Sequence, residues 1–264
     1  MLSIIIVSWN VKGLLKKCLE SIFRNQNDLA LEVFVVDNAS TDETSEMVKN
    51  HFPQVQLISN EKNLGFAAAN NQGIKQAKGD YLLLLNPDTE IVGSALKTAI
   101  DFMKSNQLIG VCGVKHLNPN GTLQPSIRRF PTFWPIFLTL TKLARIFPNL
   151  PAINKYLAKD FNYSQAQSVD QVAGSFFLIH RQVIEKIGLL DENFFIWFEE
   201  VDFCHRVIKA GWQVWYTPNA SIIHYGGQSF KQQFTLKKQW LFFKSAIKYF
   251  QKYGFSIKPK NLLF

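Results

Sequence analysis

Tyr81-Leu82-Leu83-Leu84-Leu85-Asn86-Pro87-Asp88-Thr89 is the stretch that decides how this chain folds. A tyrosine and four leucines in succession leave no polar side to turn toward water. Residues 81–86 therefore read as a strand driven into the core, with the polar Asn86 and Asp88 emerging together at its carboxyl end. Apolar runs of the same kind lie at residues 2–8, 32–37, 55–59 and 109–114, while residues 11–25, 41–52, 67–77 and 94–104 carry apolar side chains at helical spacing. This rhythm predicts an α/β protein with a parallel, doubly wound sheet. Ligands of such sheets bind beyond the carboxyl ends of the strands, which directs attention to residues 8–10, 37–40 and 86–88.

The remainder is less regular. Residues 116–170 bear six prolines and read as an inserted, partly mobile region; the apolar run at 133–147, broken by Pro135, Lys142 and Arg145, is too short to cross a bilayer but could lie on one. A strand is expected at 172–180, a helix at 199–210, and two strands at 212–217 and 221–225. A last helix over 235–253 would place Leu236, Trp240, Phe243, Ile247 and Phe250 in one stripe, with Lys237, Lys244, Lys248 and Lys252 beside it. The organisation expected is one main domain over 1–230, in halves 1–115 and 116–230, followed by a basic amphipathic helical extension over 231–264.

Composition narrows the class. A chain of 264 residues that is 47% hydrophobic can bury one large core. The amino terminus lacks a basic leader and reaches Ser8 after few apolar residues, so a cytoplasmic protein is expected. Three widely spaced cysteines, Cys18, Cys112 and Cys204, fit reduced packing thiols better than a disulfide framework or a zinc site. The net charge of +9 is unevenly placed: no Asp or Glu follows Asp202, whereas Arg206, Lys209, Lys231, Lys237, Lys238, Lys244, Lys248, Lys252, Lys258 and Lys260 do. Residues 102–159 are also free of acids and rich in aromatics. Surfaces of this kind face anionic lipid or polyphosphate, or are simply solvated. No helix-turn-helix, zinc-finger or RNP-type pattern accompanies the charge, which argues against nucleic acid.

Four places carry chemistry. Asp37 ends the apolar strand Val35-Val36-Asp37 and could accept a base N–H or a ribose hydroxyl, although the polar run after it could equally serve to cap a helix. Asn86 and Asp88, one residue apart, suit a hard divalent cation that would neutralise a diphosphate, or else form a plain Asn-Pro-Asp turn. Glu199, Glu200 and Asp202 open a helix directly after the aromatic run Phe194-Phe195-Ile196-Trp197-Phe198. Apolar neighbours raise a carboxylate's pKa and make it a better proton acceptor, although capping alone would account for one or two of the three. Finally, Ile222-Ile223-His224 delivers an imidazole ahead of Gly226 and Gly227, where it could complete a metal's coordination or simply be a satisfied structural residue.

Taken in order, Val7-Ser8-Trp9-Asn10, Val36-Asp37-Asn38-Ala39-Ser40, Asn63-Leu64-Gly65-Phe66 with Asn70 and Gly73, Leu85-Asn86-Pro87-Asp88, Ala173-Gly174-Ser175-Phe176-Phe177 and Phe198-Glu199-Glu200-Val201-Asp202 resemble the family 2 inverting glycosyltransferases of the GT-A fold, particularly the rhamnosyltransferase branch of bacterial cell-surface polysaccharide synthesis. The resemblance runs from about residue 2 to 229. It implies a Rossmann-like GT-A fold with a mixed, mostly parallel sheet flanked by helices. It also implies a nucleoside-diphosphate sugar donor, Mg²⁺ or Mn²⁺, and a glycan or lipid-linked acceptor.

The same resemblance assigns residues. Asp37 would read the donor's base, with Ser8, Asn10, Asn38, Asn63, Gly65, Asn70, Asn86 and Asp88 as further donor contacts; Asp88, His224 and Asn86 would hold the metal. Glu200 would be the base, with Glu199 and Asp202 as partners whose roles could be exchanged. Gly174, Ser175, Phe176 and Trp197 would border the acceptor. The sequence departs from the family pattern at two positions. Asn86 stands where the family's first acidic metal ligand is common. Ala69 stands where many relatives have arginine, so Arg128 or Arg129 is expected to supply the missing cation.

The basic tail would attach the protein peripherally to the inner face of the plasma membrane, or cover a second subunit in a homodimer. A non-catalytic nucleotide or carbohydrate-binding module on the same scaffold is the rival reading, favoured by Asn86 and opposed by the acidic cluster. A nucleotidyltransferase is disfavoured, because Ser8-Trp9-Asn10-Val11-Lys12-Gly13 makes a poor phosphate loop.

Overall fold

The computed structural model describes residues 1–226 and 235–255. Gly227, Lys231, Lys258, Lys260 and the domain boundary at 230–231 lie outside the described residues.

The first half alternates as expected: β1 (Leu2–Ser8), α1 (Lys12–Arg24), β2 (Leu31–Asp37), α2 (Thr44–His51), β3 (Gln56–Ser59), α3 (Phe66–Gln76), β4 (Tyr81–Leu85), β5 (Thr89–Ile91), α4 (Ala95–Lys104) and β6 (Ile109–Leu117). Residues 116–170 hold more regular structure than their prolines suggest. They contain β7 (Leu123–Gln124), β8 (Ile127–Arg128), α5 (Phe133–Leu140), α6 (Leu143–Ile146), α7 (Pro151–Tyr156) and β9 (Gln167–Ser168). The chain continues through β10 (Gln171–Val172), β11 (Phe176–His180), α8 (Arg181–Ile187), α9 (Glu199–Lys209), β12 (Gln213–His224) and α10 (Thr235–Tyr253).

One mixed sheet runs in the order β3-β2-β1-β4-β11-β6-β12-β5. Its first four strands are parallel, whereas β11 enters antiparallel to both β4 and β6. Side chains of successive residues face opposite layers, so Ile4, Ile6, Leu83 and Leu85 pack under α1 and α4, while Ile5, Leu82 and Leu84 pack under α3 and α9. Both faces are covered, which is why these strands read as unbroken apolar runs. The two strands expected at 212–217 and 221–225 are a single strand, β12, with a register shift between Thr217 and Ser221. The strand expected at 172–180 is instead two, because residues 173–175 leave β10 as a turn before β11 begins.

A third apolar cluster forms where α10 lies on α5 and on residues 194–201. Here the predicted stripe needs correction. Of its members only Phe250 is buried, together with Ala246 and Tyr249, whereas Leu236 is 81% and Trp240 56% exposed. The helix spends a neighbouring face on the protein and leaves most of the predicted stripe in solvent.

Gly65 marks a close approach between the halves of the molecule. It has φ +87° just before α3, and a Cβ there would sit 2.4 Å from the Phe195 carbonyl oxygen, which accepts the Phe66 N–H at 2.7 Å. Gly65→Ala should therefore cost about 2 kcal/mol or more in strain and displaced backbone. Thermal unfolding reads this directly, and an unchanged melting temperature would contradict the assignment.

Candidate active site

The carboxyl ends of β1, β2 and β4 lie side by side because Ser8 pairs with Asp37 and Ile6 with Leu85. Asp37 is buried there; its carboxylate accepts the Ser40 N–H at 3.0 Å and the Ser45 hydroxyl. Asn10, in left-handed conformation, donates its N–H to Ser40 and accepts from Thr41, so the loops after β1 and β2 are tied together. Ser8 is buried with an Oγ that makes no hydrogen bond.

Three expected donor contacts are scaffold instead. Asn38 is 2% exposed, and its amide is engaged by Asn63, Gly65, Asn60 and Leu64, an arrangement that shapes the turn before α3. Asn63 completes that turn by accepting the Gly65 N–H. Asn70 is buried and donates to the Phe66 carbonyl within α3. All three side chains are consumed by the turn and helix they support.

Strand pairing brings the distant motifs together. The Asn86 N–H donates to the Ser175 carbonyl at 3.1 Å, joining the end of β4 to the turn before β11. The pairing of β12 with β5 sets His224 opposite Thr89, and the Tyr225 N–H donates to the Asp88 carbonyl at 2.9 Å. As a result, His224 Nε2 lies 3.5 Å from Asp88 Oδ1 and makes no hydrogen bond. Beside them a cavity of about 410 Å³ opens, with Asn86, Gly174, Ser175, Trp197, Glu199, Glu200, Arg128 and His224 in its wall. That volume suits a small ligand.

The acidic pair enters this cavity from a strained turn. Trp197 (φ +62°) and Phe198 (φ +70°) are both left-handed, an uncommon state for bulky side chains that costs roughly 1–3 kcal/mol each. Packing against α10 holds them: Phe242 meets both rings, Tyr249 meets Phe198, and Ser245 Oγ donates to the Ile196 carbonyl.

Burial raises Glu199 well above the ordinary carboxyl range, and the neighbouring Glu200 charge raises it further. Glu200 is also raised by burial, but backbone N–H groups and the Arg128 guanidinium oppose the shift. Two buried carboxyls this close cannot both ionise, so the pair shares a proton, and Glu199, raised further by its neighbour, is the member that favours holding it. One oxygen of each, Oε2, is buried without a hydrogen-bond partner.

Three further expectations fail on placement. Asp202 is fully buried away from the cavity, where Arg206 Nε at 2.8 Å, Lys252 Nζ at 2.6 Å and the Tyr253 hydroxyl at 2.7 Å surround its carboxylate. It lies about 200° round the helix from Glu200, so the two cannot face the same space. Phe176 is a core residue of β11. Arg129 pairs with Asp160 at the surface, leaving Arg128, whose guanidinium lies 5.7 Å from the Tyr156 ring centre, as the cation at the cavity.

Sequence reasoning gave no site role to Phe66, Ser126, Tyr156, Gln171 and Phe242, which also line the wall, or to two residues beneath it. Those two are His116, whose Nε2 meets Ser175 Oγ at 2.7 Å, and Gln124, which meets His224. Phe66, inside a quoted motif, and Phe242, inside the last helix, carried patterns that could have placed them.

Against this geometry, the sequence model described as "Glycosyl transferase family 2" matches residues 3–188. The chain belongs to glycosyl transferase family 2. Proteins similar to it include the "N-acetylglucosaminyl-diphospho-decaprenol L-rhamnosyltransferase" of Mycobacterium tuberculosis, 27% identical over 210 residues that cover 75% of this chain and 68% of the relative. "Rhamnosyltransferase WbbL" of Escherichia coli is 27% identical over 258 residues, covering 94% and 92%. Among solved structures, GalNAc-T7 with UDP, GalNAc and Mn²⁺ superposes with a TM-score of 0.63 at 19% identity, covering 85% of this chain and 43% of its own. The mannosyltransferase PcManGT of Pyrobaculum calidifontis, with GDP-Man and Mn²⁺, gives 0.62 at 18% identity, covering 94% and 64%. These structures share the GT-A fold, and the chain spans under two thirds of either one's length.

Proposed function

We propose that this family 2 member is an inverting glycosyltransferase that moves a sugar, rhamnose from dTDP-rhamnose by the likeness of its relatives, onto a hydroxyl of a cell-surface glycan or its lipid-linked precursor. One observation carries the reading: the buried carboxyl pair Glu199–Glu200 and the imidazole of His224, whose Nε2 lies 3.5 Å from Asp88 Oδ1, border a single cavity at the carboxyl edge of the sheet.

Glu200 is the base. Glu199 holds the shared proton and Asp202 is committed to cations, so Glu200 alone remains as a carboxylate in the cavity. It takes the acceptor's hydroxyl proton as that oxygen bonds to the anomeric carbon; the bond from that carbon to the diphosphate oxygen breaks on the opposite face, and configuration inverts. Arg128 steadies either the departing diphosphate or the acceptor, and Asp37, at the nucleotide end of the same edge, reads the base.

Asp88 and His224 fit a divalent cation: an acidic oxygen faces an imidazole nitrogen that has no hydrogen bond. Among the described residues no group of three or more His, Cys, Asp or Glu could hold one. The donor's phosphate oxygens would therefore complete the shell, with Asn86 beside it. An imidazole ligand favours Mn²⁺ over Mg²⁺, which prefers oxygen. When bound, the cation offsets charge on the leaving diphosphate.

Thermal shift against a panel of nucleotide sugars with Mn²⁺, followed by transfer from radiolabelled donor, tests the reading. dTDP-rhamnose is expected to stabilise most and to be consumed with inversion. Stabilisation without transfer to any glycan acceptor would favour the rival binding module.

The acceptor's setting is proposed from the exposed apolar ridge of α5 and α10. Trp134, Phe137, Trp240 and Phe243 stand exposed on these helices, with Lys142, Arg145, Lys237, Lys238 and Lys244 in the same two acid-free stretches. Among the described residues no helix is long and apolar enough to cross a membrane. Insertion of these rings, joined to lysine attraction, would seat the protein on anionic lipid. Flotation with vesicles containing anionic phospholipid should bring the protein up, and W134E/W240E should lower the bound fraction about tenfold or more. Equal flotation by both would reject the idea.

A further inference from the structure

Gln124 lies in a two-residue strand, β7, inside the irregular middle of the chain, a hundred residues from His224. Its side chain makes three contacts that fix which way the amide points. Its Nε2 donates to Asn118 Oδ1 at 2.9 Å and to the backbone carbonyl of His224 at 3.2 Å, and both of these are acceptors only. Oε1 must then be the atom that faces His224 Nδ1, at 2.6 Å. A carbonyl oxygen cannot donate, so Nδ1 carries a hydrogen. In neutral imidazole that leaves Nε2 as a bare lone pair, and Nε2 is the atom 3.5 Å from Asp88 Oδ1 with no hydrogen bond of its own. The Nε2 lone pair is thus open to a cation beside the Asp88 carboxylate.

We infer that Gln124 is a positioning residue for the metal-binding imidazole: by accepting the Nδ1 hydrogen it fixes the tautomer and ring orientation that present Nε2 to a divalent cation beside Asp88. The inference rests on the cation reading given above and deepens it. Metal-bound histidines commonly donate their other ring N–H to an oxygen, and losing that outer partner typically weakens metal affinity 10- to 100-fold.

The arrangement is held from both sides. Asn118 accepts from Gln124 while its own N–H donates to the Thr122 carbonyl at 2.8 Å, closing the turn that carries β7. On the other side the His116 ring stands edge-on to the His224 ring with centroids 5.8 Å apart, so the imidazole has little room to flip. His116 is itself fixed, because its Nδ1 can only donate to the Val114 carbonyl, at 2.9 Å.

The test has two readouts. Long-range ¹H–¹⁵N spectra of the metal-free protein at pH 8 report which nitrogen of His224 carries the hydrogen, and Mn²⁺ titration followed by electron paramagnetic resonance, with dTDP present, reports affinity. Wild type should show the Nδ1–H form. Gln124→Leu should shift His224 toward the Nε2–H form and weaken Mn²⁺ tenfold or more, with an unchanged melting temperature. An Nε2–H tautomer in wild type, or unaltered Mn²⁺ affinity in Gln124→Leu, overturns the inference. Wild type that shows the Nδ1–H form yet binds no Mn²⁺ would overturn the cation reading itself, and the two failures are thereby told apart.

Discussion

Glu200→Gln should lower sugar transfer by about 10³-fold or more while the nucleotide sugar still raises the melting temperature as it does in wild type. The change is isosteric, and the new amide oxygen can still accept from Glu199, so the cavity keeps its shape. What is lost is the carboxylate that takes the acceptor's proton. Glu199→Gln is the informative companion. Because Glu199 already holds a proton, a neutral amide reproduces its state, and the loss should be far smaller, about tenfold. Burial lifts Glu200 above the ordinary carboxylate range. Transfer in wild type should accordingly rise with pH along a limb placed above that range, since only the deprotonated form works, and this limb should vanish in any residual activity of Glu200→Gln. The reverse order of effects, with Glu199→Gln dead and Glu200→Gln active, would exchange the two roles.

Asp202→Ala should be the most damaging single change to stability. The carboxylate is fully buried and holds Arg206, Lys252 and the Tyr253 hydroxyl, so its removal leaves two cations short of a counter-charge: Arg206 keeps the Ile187 and Leu189 carbonyls, and Lys252 keeps Asp191 at 2.8 Å. Breaking a buried pair from one side costs about 3–5 kcal/mol, which for a chain of this length lowers the melting temperature by on the order of 10 °C. The consequence reaches the chemistry indirectly. Lys252 and Tyr253 anchor α10, and α10 braces the strained Trp197–Phe198 turn from which Glu199 and Glu200 enter the cavity. Adding Lys252→Met to Asp202→Ala should recover part of the loss, because it removes one stranded charge. A variant that melts within about 1 °C of wild type but transfers no sugar would return Asp202 to the reaction.

Much of this was legible before any coordinates. Strands buried on both faces write themselves as apolar runs, so β1, β2, β4 and β6 could be read, and the rule that ligands gather at strand ends pointed to Asp37 and Asp88. His224 was legible for the same reason. The rest depended on pairings that leave no local trace. β5 is three residues long, and nothing in Thr89-Glu90-Ile91 announces that it pairs with β12, yet that pairing is what carries His224 to Asp88. Gln124 sits among residues without periodicity and gains its meaning only from a neighbour a hundred positions away. Asp202 misled for a different reason. Three acids in four residues look like one cluster, but a helix turns the third to the far side. The stripe on α10 misled similarly, because apolar residues at helical spacing show that a helix has a face without showing which face the protein takes.

The account rests on a cation and a nucleotide diphosphate meeting at the edge where β4 and β12 end. Crystals grown with MnCl₂ and dTDP, measured at the manganese absorption edge, test this most directly. The account predicts an anomalous peak in contact with an Asp88 oxygen and with Nε2 of His224, in the cavity that Glu200 enters. Manganese bound elsewhere, with Asp88 and His224 touching only each other, would contradict it.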